Sequence, residues 1–222
     1  EIQIILKLGY ATGEHAPGKT LTNDQIFIVA HNLLLAHGHA VSALREIDQN
    51  LKIGIASTGK LAYPKGETKS NLDTAYLTSF KVDENDWFFS HSLVLDPIVF
   101  GCYPEGLDKI CPSYQDYINE GDLEIISAPL DMIGANIYNG QEVDIQGILV
   151  TRSPSFPRNS LGWPVTPKIL HYGPLFLNKR YNLPIYITEN GHSLLDEVGP
   201  NQRIDDSERI IFLENYLSNL KL

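Results

Sequence analysis

Three short apolar runs, Leu51-Lys-Ile-Gly-Ile-Ala56, Leu130-Asp-Met-Ile-Gly-Ala-Asn-Ile-Tyr138 and Ile185-Tyr-Ile187, stand far apart in the chain with helix-length segments between them. Turn residues bound them: Ser57-Thr-Gly59 follows the first, Pro184 precedes the third, and Asn190-Gly191 lies beyond it. A short apolar run closed by turn signals suits a strand covered on both faces, and strands that alternate with helices pair in parallel through right-handed crossovers. No internal repeat or low-complexity segment interrupts the pattern, so residues 1–222 are expected to form a single α/β domain. In such proteins ligands bind, and chemistry is done, where the strands end and the backbone turns.

The third run ends in Thr188-Glu189-Asn190-Gly191. Glu189 therefore falls at a strand's C-terminal lip, where a carboxylate is held by a stiff element and kept out of the apolar interior. The second run ends in Asn136 and Tyr138, whose side chains point the same way because strand periodicity is two. A phenol donating to a carboxylate would favour its ionised form and fix one oxygen.

The connecting segments carry helix signals. Thr22 or Asn23 can cap a long helix with an apolar stripe of Ile26, Val29, Leu33, Leu34, Ala40, Val41 and Leu44. It also bears His31, His37 and His39; the last two, being two apart, face different ways, so packing fits them better than metal ligation. A second helix is expected from near Asn71 through Trp87, Phe88 and Leu93 to Leu95, ended by Asp96-Pro97, with the aromatics packing it on the sheet. Ile2 to Leu8 suits a buried strand end or a helix start. Residues 142–150 alternate around Gly147 as a hairpin would, and Thr166-Pro167 opens a helix reaching Tyr181. Asp205 and Glu208 give a capping-box-like start to the last helix, with Ile210, Leu213, Leu217 and Leu220 as its buried stripe.

A net charge of -10 leaves no basic surplus for nucleic acid and suits a neutral substrate. No apolar run approaches a membrane span and no charged-then-apolar leader opens the chain, so no membrane partner is expected. Cys102 and Cys111 lack zinc-ligand spacing and read as reduced, structural thiols, which fits a cytoplasmic protein. The chain begins at Glu1 without Met, and the expectation is a piece of something longer.

Ile187-Thr-Glu-Asn-Gly191, with Asp196-Glu197 and Arg203-Ile-Asp205 after it, resembles the nucleophile segment of glycoside hydrolase family 1, the β-glucosidase family. Glu1-Ile-Gln3, Gly9-Tyr10 and His15-Ala-Pro-Gly18 resemble the segment that includes and follows the family's Asn-Glu-Pro motif, with Ile2 where the family has proline. His31-Asn32 with Ala36-His-Gly-His-Ala40, Asp96-Pro97 with Gly101 and Tyr103-Pro104, Asn136-x-Tyr138 and Trp163 extend the likeness, in order, over nearly the whole chain. The resemblance implies a (β/α)8 TIM barrel, of which this chain supplies roughly strands four to seven with their helices. It implies Glu189 as catalytic nucleophile, Glu1 as acid/base, Tyr138 as a hydrogen-bond donor to the nucleophile and Asn136 as part of the sugar site. Trp163 resembles a structural tryptophan of the family.

The implied activity is retaining hydrolysis of terminal β-glucosides or related β-glycosides, through a glycosyl-enzyme and with no cofactor or metal. A β-glycoside or oligosaccharide would be the substrate, and the missing barrel half or a second chain would cover the open sheet edges. Two other readings stand beside it: a catalytically silent half-barrel or sugar-binding relic of that family, and a metal-dependent hydrolase using the histidines.

Overall fold

The computed structural model describes residues 1–220. In chain order, α1 (Ile2–Ile4) runs into a π-helical segment (Ile5–Ala11), followed by α2 (Asn23–Ile47), β1 (Gly54–Thr58), β2 (Ala62–Pro64) and α3 (Lys69–Phe80). A 3-10 turn (Trp87–Phe89) leads to α4 (His91–Phe100), α5 (Leu107–Ile110), a second 3-10 turn (Tyr114–Tyr117) and α6 (Asp122–Ile126). The remainder is β3 (Met132–Asn136), β4 (Gln141–Val143), α7 (Ile169–Tyr181), β5 (Ile185–Glu189) and α8 (Ser207–Leu220).

One sheet has the order β1-β3-β5 and a second pairs β2 with β4 in parallel, Ala62 opposite Gln141 and Pro64 opposite Val143. The β3–β5 pairing is parallel too. Ile133 N donates to Pro184 O (2.9 Å) and Ile137 N to Glu189 O (3.0 Å), so both strands advance together. The three apolar runs are thus strands, as expected, with the first shifted to Gly54–Thr58. One expectation is corrected: β5 is not covered on both faces. Tyr186 is 57 % exposed and no residue of β5 is fully buried, so one face of the strand lacks a covering layer among the described residues.

The chain forms two compact units, Glu1–Lys60 with Phe80–Ala135 and Tyr181–Tyr186, and Leu61–Ser79 with Asn136–Arg180 and Ile187–Leu222. In the first, Thr22 and Gln25 close a reciprocal capping box that starts α2. Ile26, Phe27, Ala30, Leu34 and Val41 are buried along that helix, whereas Ala40 and Leu44 of the expected stripe are exposed. By length and composition alone α2 would suffice for a membrane span, as buried core helices also can; its buried face packs on α6. His31 bonds Tyr103 Oη (2.7 Å) and Asp122 Oδ2 (3.0 Å), a packing role. Both cysteines are unpaired, Cys102 exposed and Cys111 buried, and burial pushes the Cys111 thiol up to about 12.

The helix expected from Asn71 to Leu95 is two helices. α3 ends at Phe80, and Ser90 caps a new start by accepting from Ser92 N (3.2 Å). Nor does Pro97 end α4: the helix runs through it to Gly101, whose left-handed backbone (φ 66) lets its N–H close on Pro97 O. An interior proline costs about 3 kcal/mol of helix propensity. Burial of His91 through Ile98 offsets that, and Tyr181 Oη donates to the Asp96 carboxylate at 2.8 Å.

In the second unit, Leu61, Tyr63, Ile137, Ile169, Leu177 and Phe212 are among the buried core. The hairpin after β4 is present: Val143 bridges Leu149 and Gly147 sits at φ 78 in the turn. α8 presents a different face from the one expected. Phe212 and Tyr216 are buried, while Ile210, Leu213, Leu217 and Leu220 are 41–54 % exposed. The helix is apolar on more than one side, so spacing alone did not select the packed face. Ring stacking of Phe212 on Tyr216 (centroids 4.0 Å apart) and on His192 (4.7 Å) does.

Candidate active site

Glu189 is the last residue of β5, and its side chain is exposed. Tyr138 lies two residues past the end of β3 and donates from Oη to Glu189 Oε2 at 2.7 Å. Two bonds set the register that allows this. Ile137 N donates to Glu189 O, and Asn190 Nδ2 donates to Ile137 O at 2.8 Å, so residue 137 is bracketed on either side of the carboxylate. Beneath them Thr188 Oγ1 donates to Asn136 Oδ1 at 2.5 Å, and Asn136 is buried. Among the sequence-derived candidates, the structure therefore brings Glu189, Tyr138 and Asn136 to neighbouring strand ends.

Glu1 is placed otherwise. It belongs to the other compact unit, as the exposed N-cap of α1, without a side-chain cap bond. Its carbonyl accepts from Ile5 N at 3.3 Å.

Several contacts around the carboxylate were not reached from spacing or composition, although Trp163 and Asp196 lie in the stretches that resemble the family. Trp163 meets the Tyr138 ring edge-on, centroids 5.6 Å apart, and is 42 % exposed. Ser160 Oγ donates to Ser193 Oγ (2.9 Å) in the loop that follows Gly191. Arg209 of α8 fastens that same loop, reaching both oxygens of Asp196 at 2.7 Å and His192 O at 3.2 Å. Such contacts join segments by long-range bonds with no periodic pattern. Only the charge complementarity of Asp196 and Arg209 could have been guessed, and it has many competitors in the chain.

Chemically, a carboxylate on a stiff strand end, with one oxygen held by a neutral phenol, can act as an oriented nucleophile or electrostatic base. Two hollows lie away from it. One of about 230 Å³ is lined by Glu142, Leu149, Arg152 and Arg158, the other by Cys102, Tyr103, Tyr114 and Gln115. Neither hollow includes Glu189, Tyr138 or Asn136 in its lining.

The model of glycosyl hydrolase family 1 matches residues 1–222. Beta-glucosidase A of Acetivibrio thermocellus is 34 % identical over 226 residues, covering 97 % of this chain and 48 % of the relative. Beta-glucosidase A of Thermotoga maritima is 28 % identical over 96 % of this chain and 47 % of its own length. A solved family 1 β-glucosidase from Thermotoga maritima superposes with a TM-score of 0.78 over 99 % of this chain and 49 % of that one, at 28 % identity. The same relative has been solved with deoxynojirimycin and with cyclophellitol. The chain spans about half the length of the curated relatives it matches, and it is an α/β portion of their (β/α)8 TIM barrel. By its strand-end motif, its fold and the match along its whole length, the chain belongs to glycosyl hydrolase family 1.

Proposed function

We propose that this chain is the nucleophile-bearing part of a retaining β-glycosidase that hydrolyses terminal β-glucosides or related β-glycosides through a glycosyl-enzyme. The observation that carries the reading is the 2.7 Å bond from Tyr138 Oη to Glu189 Oε2 at the end of β5. In a retaining mechanism one carboxylate attacks the anomeric carbon while the other protonates the leaving oxygen and then deprotonates water. Glu189 takes the first role. Tyr138 holds one of its oxygens so that the other is aimed, and Asn136, steadied by Thr188, contributes to the sugar site. Glu1 takes the acid/base role. The substrate is a β-glycoside or oligosaccharide, in keeping with relatives named β-glucosidases and with the sugar-like ligands of their solved complexes.

Residues 1–222 then act as one barrel domain that the other barrel half, or a second chain, completes. The exposed edge strand β5 and the exposed leucines of α8 support that. Two unpaired cysteines support a cytoplasmic setting.

The test is covalent trapping with a 2-deoxy-2-fluoro-β-glucoside followed by peptide mapping of the full-length protein. Labelling of Glu189, lost in Glu189→Gln, is the expected outcome; labelling at another residue, or none, ends the proposal. One competing reading is a catalytically silent half-barrel or sugar-binding relic of that family. Turnover of an aryl β-glucoside by the 222-residue chain, abolished by Glu189→Gln, would exclude it.

A further inference from the structure

The phenol that touches Glu189 is itself held from behind. Tyr216 of α8 is completely buried, stacked on Phe212, and its hydroxyl is used twice. It accepts from Thr166 N at 2.8 Å and donates to the carbonyl oxygen of Tyr138 at 3.0 Å. Two residues on, Gly140 is gripped at both ends of its backbone: its N–H donates to Thr166 Oγ1 at 2.9 Å, and its carbonyl accepts from Arg152 Nη2 at 2.8 Å. Arg152 Nη2 also donates to Tyr63 Oη at 3.2 Å, which ties the same grip to β2.

Residues 138–140 form no part of a strand, so no sheet ladder fixes their backbone. Its orientation is set instead by side chains from α8, from the segment before α7 and from the loop after β4. A buried phenol spending its one proton on a loop carbonyl is a costly choice if packing were all that was needed, since phenylalanine would stack equally well.

We propose that Tyr216 is a positioning residue for the reaction. Through its bond to the Tyr138 carbonyl it fixes the angle at which the Tyr138 phenol meets Glu189. The inference rests on the reading of Glu189 as nucleophile. Thr166 and Arg152 hold the far end of the same three-residue segment, so the clamp has two jaws, and Tyr216 is the one nearer the carboxylate.

The experiment is a double-mutant cycle in the full-length protein: wild type, Tyr216→Phe, Tyr138→Phe and the double variant. The readout is the rate of covalent inactivation by 2,4-dinitrophenyl 2-deoxy-2-fluoro-β-glucoside, with the melting temperature of each protein measured alongside. Misaiming a reacting group by a fraction of an ångström costs rate steeply, so Tyr216→Phe is expected to slow labelling about tenfold. Once the Tyr138 phenol is gone, the same substitution has nothing left to misaim and should change the rate by less than about twofold. Equal slowing in both backgrounds would show that Tyr216 merely supports the fold, and no slowing in the wild-type background would equally overturn the proposal. Should Tyr216→Phe not fold, Thr166→Val, which removes the anchor on Gly140, is read by the same cycle. Were the wild type never labelled, the nucleophile reading would fall by itself. The clamp would then be judged from the crystal structure of Tyr216→Phe: a broken Tyr138–Glu189 bond sustains it, and an unchanged 2.7 Å bond refutes it.

Discussion

Gly38, in the middle of α2, tests how tightly the first unit is assembled. A glycine in a helix interior costs about 1 kcal/mol relative to alanine, so on propensity alone Gly38→Ala should stabilise. Space decides otherwise. A β-carbon at position 38 would lie 2.1 Å from the carbonyl oxygen of Ile125 and 2.6 Å from its carbonyl carbon, with Ile126 Cα at 3.0 Å. All three are backbone atoms of α6, so no side-chain rotation relieves the clash and α6 must retreat by about 1 Å, an overpacking strain at the upper end of the usual 1–3 kcal/mol. Retreat also draws the fully buried Ile126 out of its packing and pulls Asp122 away from His31. Setting about 3 kcal/mol of strain against about 1 kcal/mol of propensity leaves a net loss of about 2 kcal/mol, or roughly 4–8 °C in melting temperature for a chain of this size. Urea and thermal unfolding of Gly38→Ala measure it, with the exposed Ser42→Ala on the same helix as a propensity control. A Gly38→Ala protein as stable as the wild type would refute the close approach of α2 and α6.

Two further predictions concern pH. Complete burial pulls the His91 imidazole down to about 4, with Nδ1 on Ser57 Oγ at 2.9 Å and Nε2 without a partner among the described residues. The unfolded chain takes up this proton near pH 6.5 while the fold refuses it until about 4, so stability is full above 6.5 and falls as pH drops through that window. The loss approaches about 3 kcal/mol, and the urea midpoints of His91→Asn should be flatter than wild type between pH 7 and 4; parallel curves would refute the assignment. The Asp131 carboxyl is held below the usual carboxylate range by the Ile53 N–H first, then by Arg45 and Lys52. Its contribution is present above about pH 4 and is lost as pH falls below the ordinary carboxylate pKa. Asp131→Asn should therefore be less stable than wild type at pH 7 and lose less on acidification, and an unfolding midpoint that tracks wild type from pH 7 to 2 would contradict the placement.

The strand-end site was legible where its determinants are local. Thr188 to Gly191 holds a strand terminus, an acid and a turn within four residues, so Glu189 announced itself. Tyr138 was reached by extending strand periodicity from Asn136, although β3 ends at Asn136 and the phenol is presented by the bonds that bracket Ile137. What failed had a common cause. The Lys81–Ser90 break between α3 and α4 depends on a Ser90 cap inside an aromatic run that reads as helix. The packed face of α8 depends on which aromatic ring finds a partner, and Tyr216 looks in the sequence like any core aromatic. Its hydrogen bonds go to backbone atoms 50 and 78 residues away, which leave no trace in spacing or composition.

The proposed division of labour between two carboxyls has a kinetic consequence. Glu189, Tyr138, Asn136 and the groups that steady them, Thr188, Asn190, Thr166, Arg152 and Tyr216, all belong to the second unit. On the proposed reading, the aim of Glu189 is a property of one packed body, built from strand register and the bonds of Tyr216. Attack on the anomeric carbon needs only an oriented carboxylate, whereas leaving-group protonation needs an acid at a set distance from it. On the proposed reading, the glycosylation burst from an activated dinitrophenyl glycoside, whose leaving group departs without a proton, should survive Glu1→Gln and be lost in Glu189→Gln, whereas an unactivated alkyl glycoside should need both carboxyls. In the full-length protein, a dinitrophenolate burst from Glu1→Gln as fast as from wild type, with alkyl glycoside turnover lost, is the expected pair; a burst slowed as much as the alkyl glycoside would refute Glu1 as the acid.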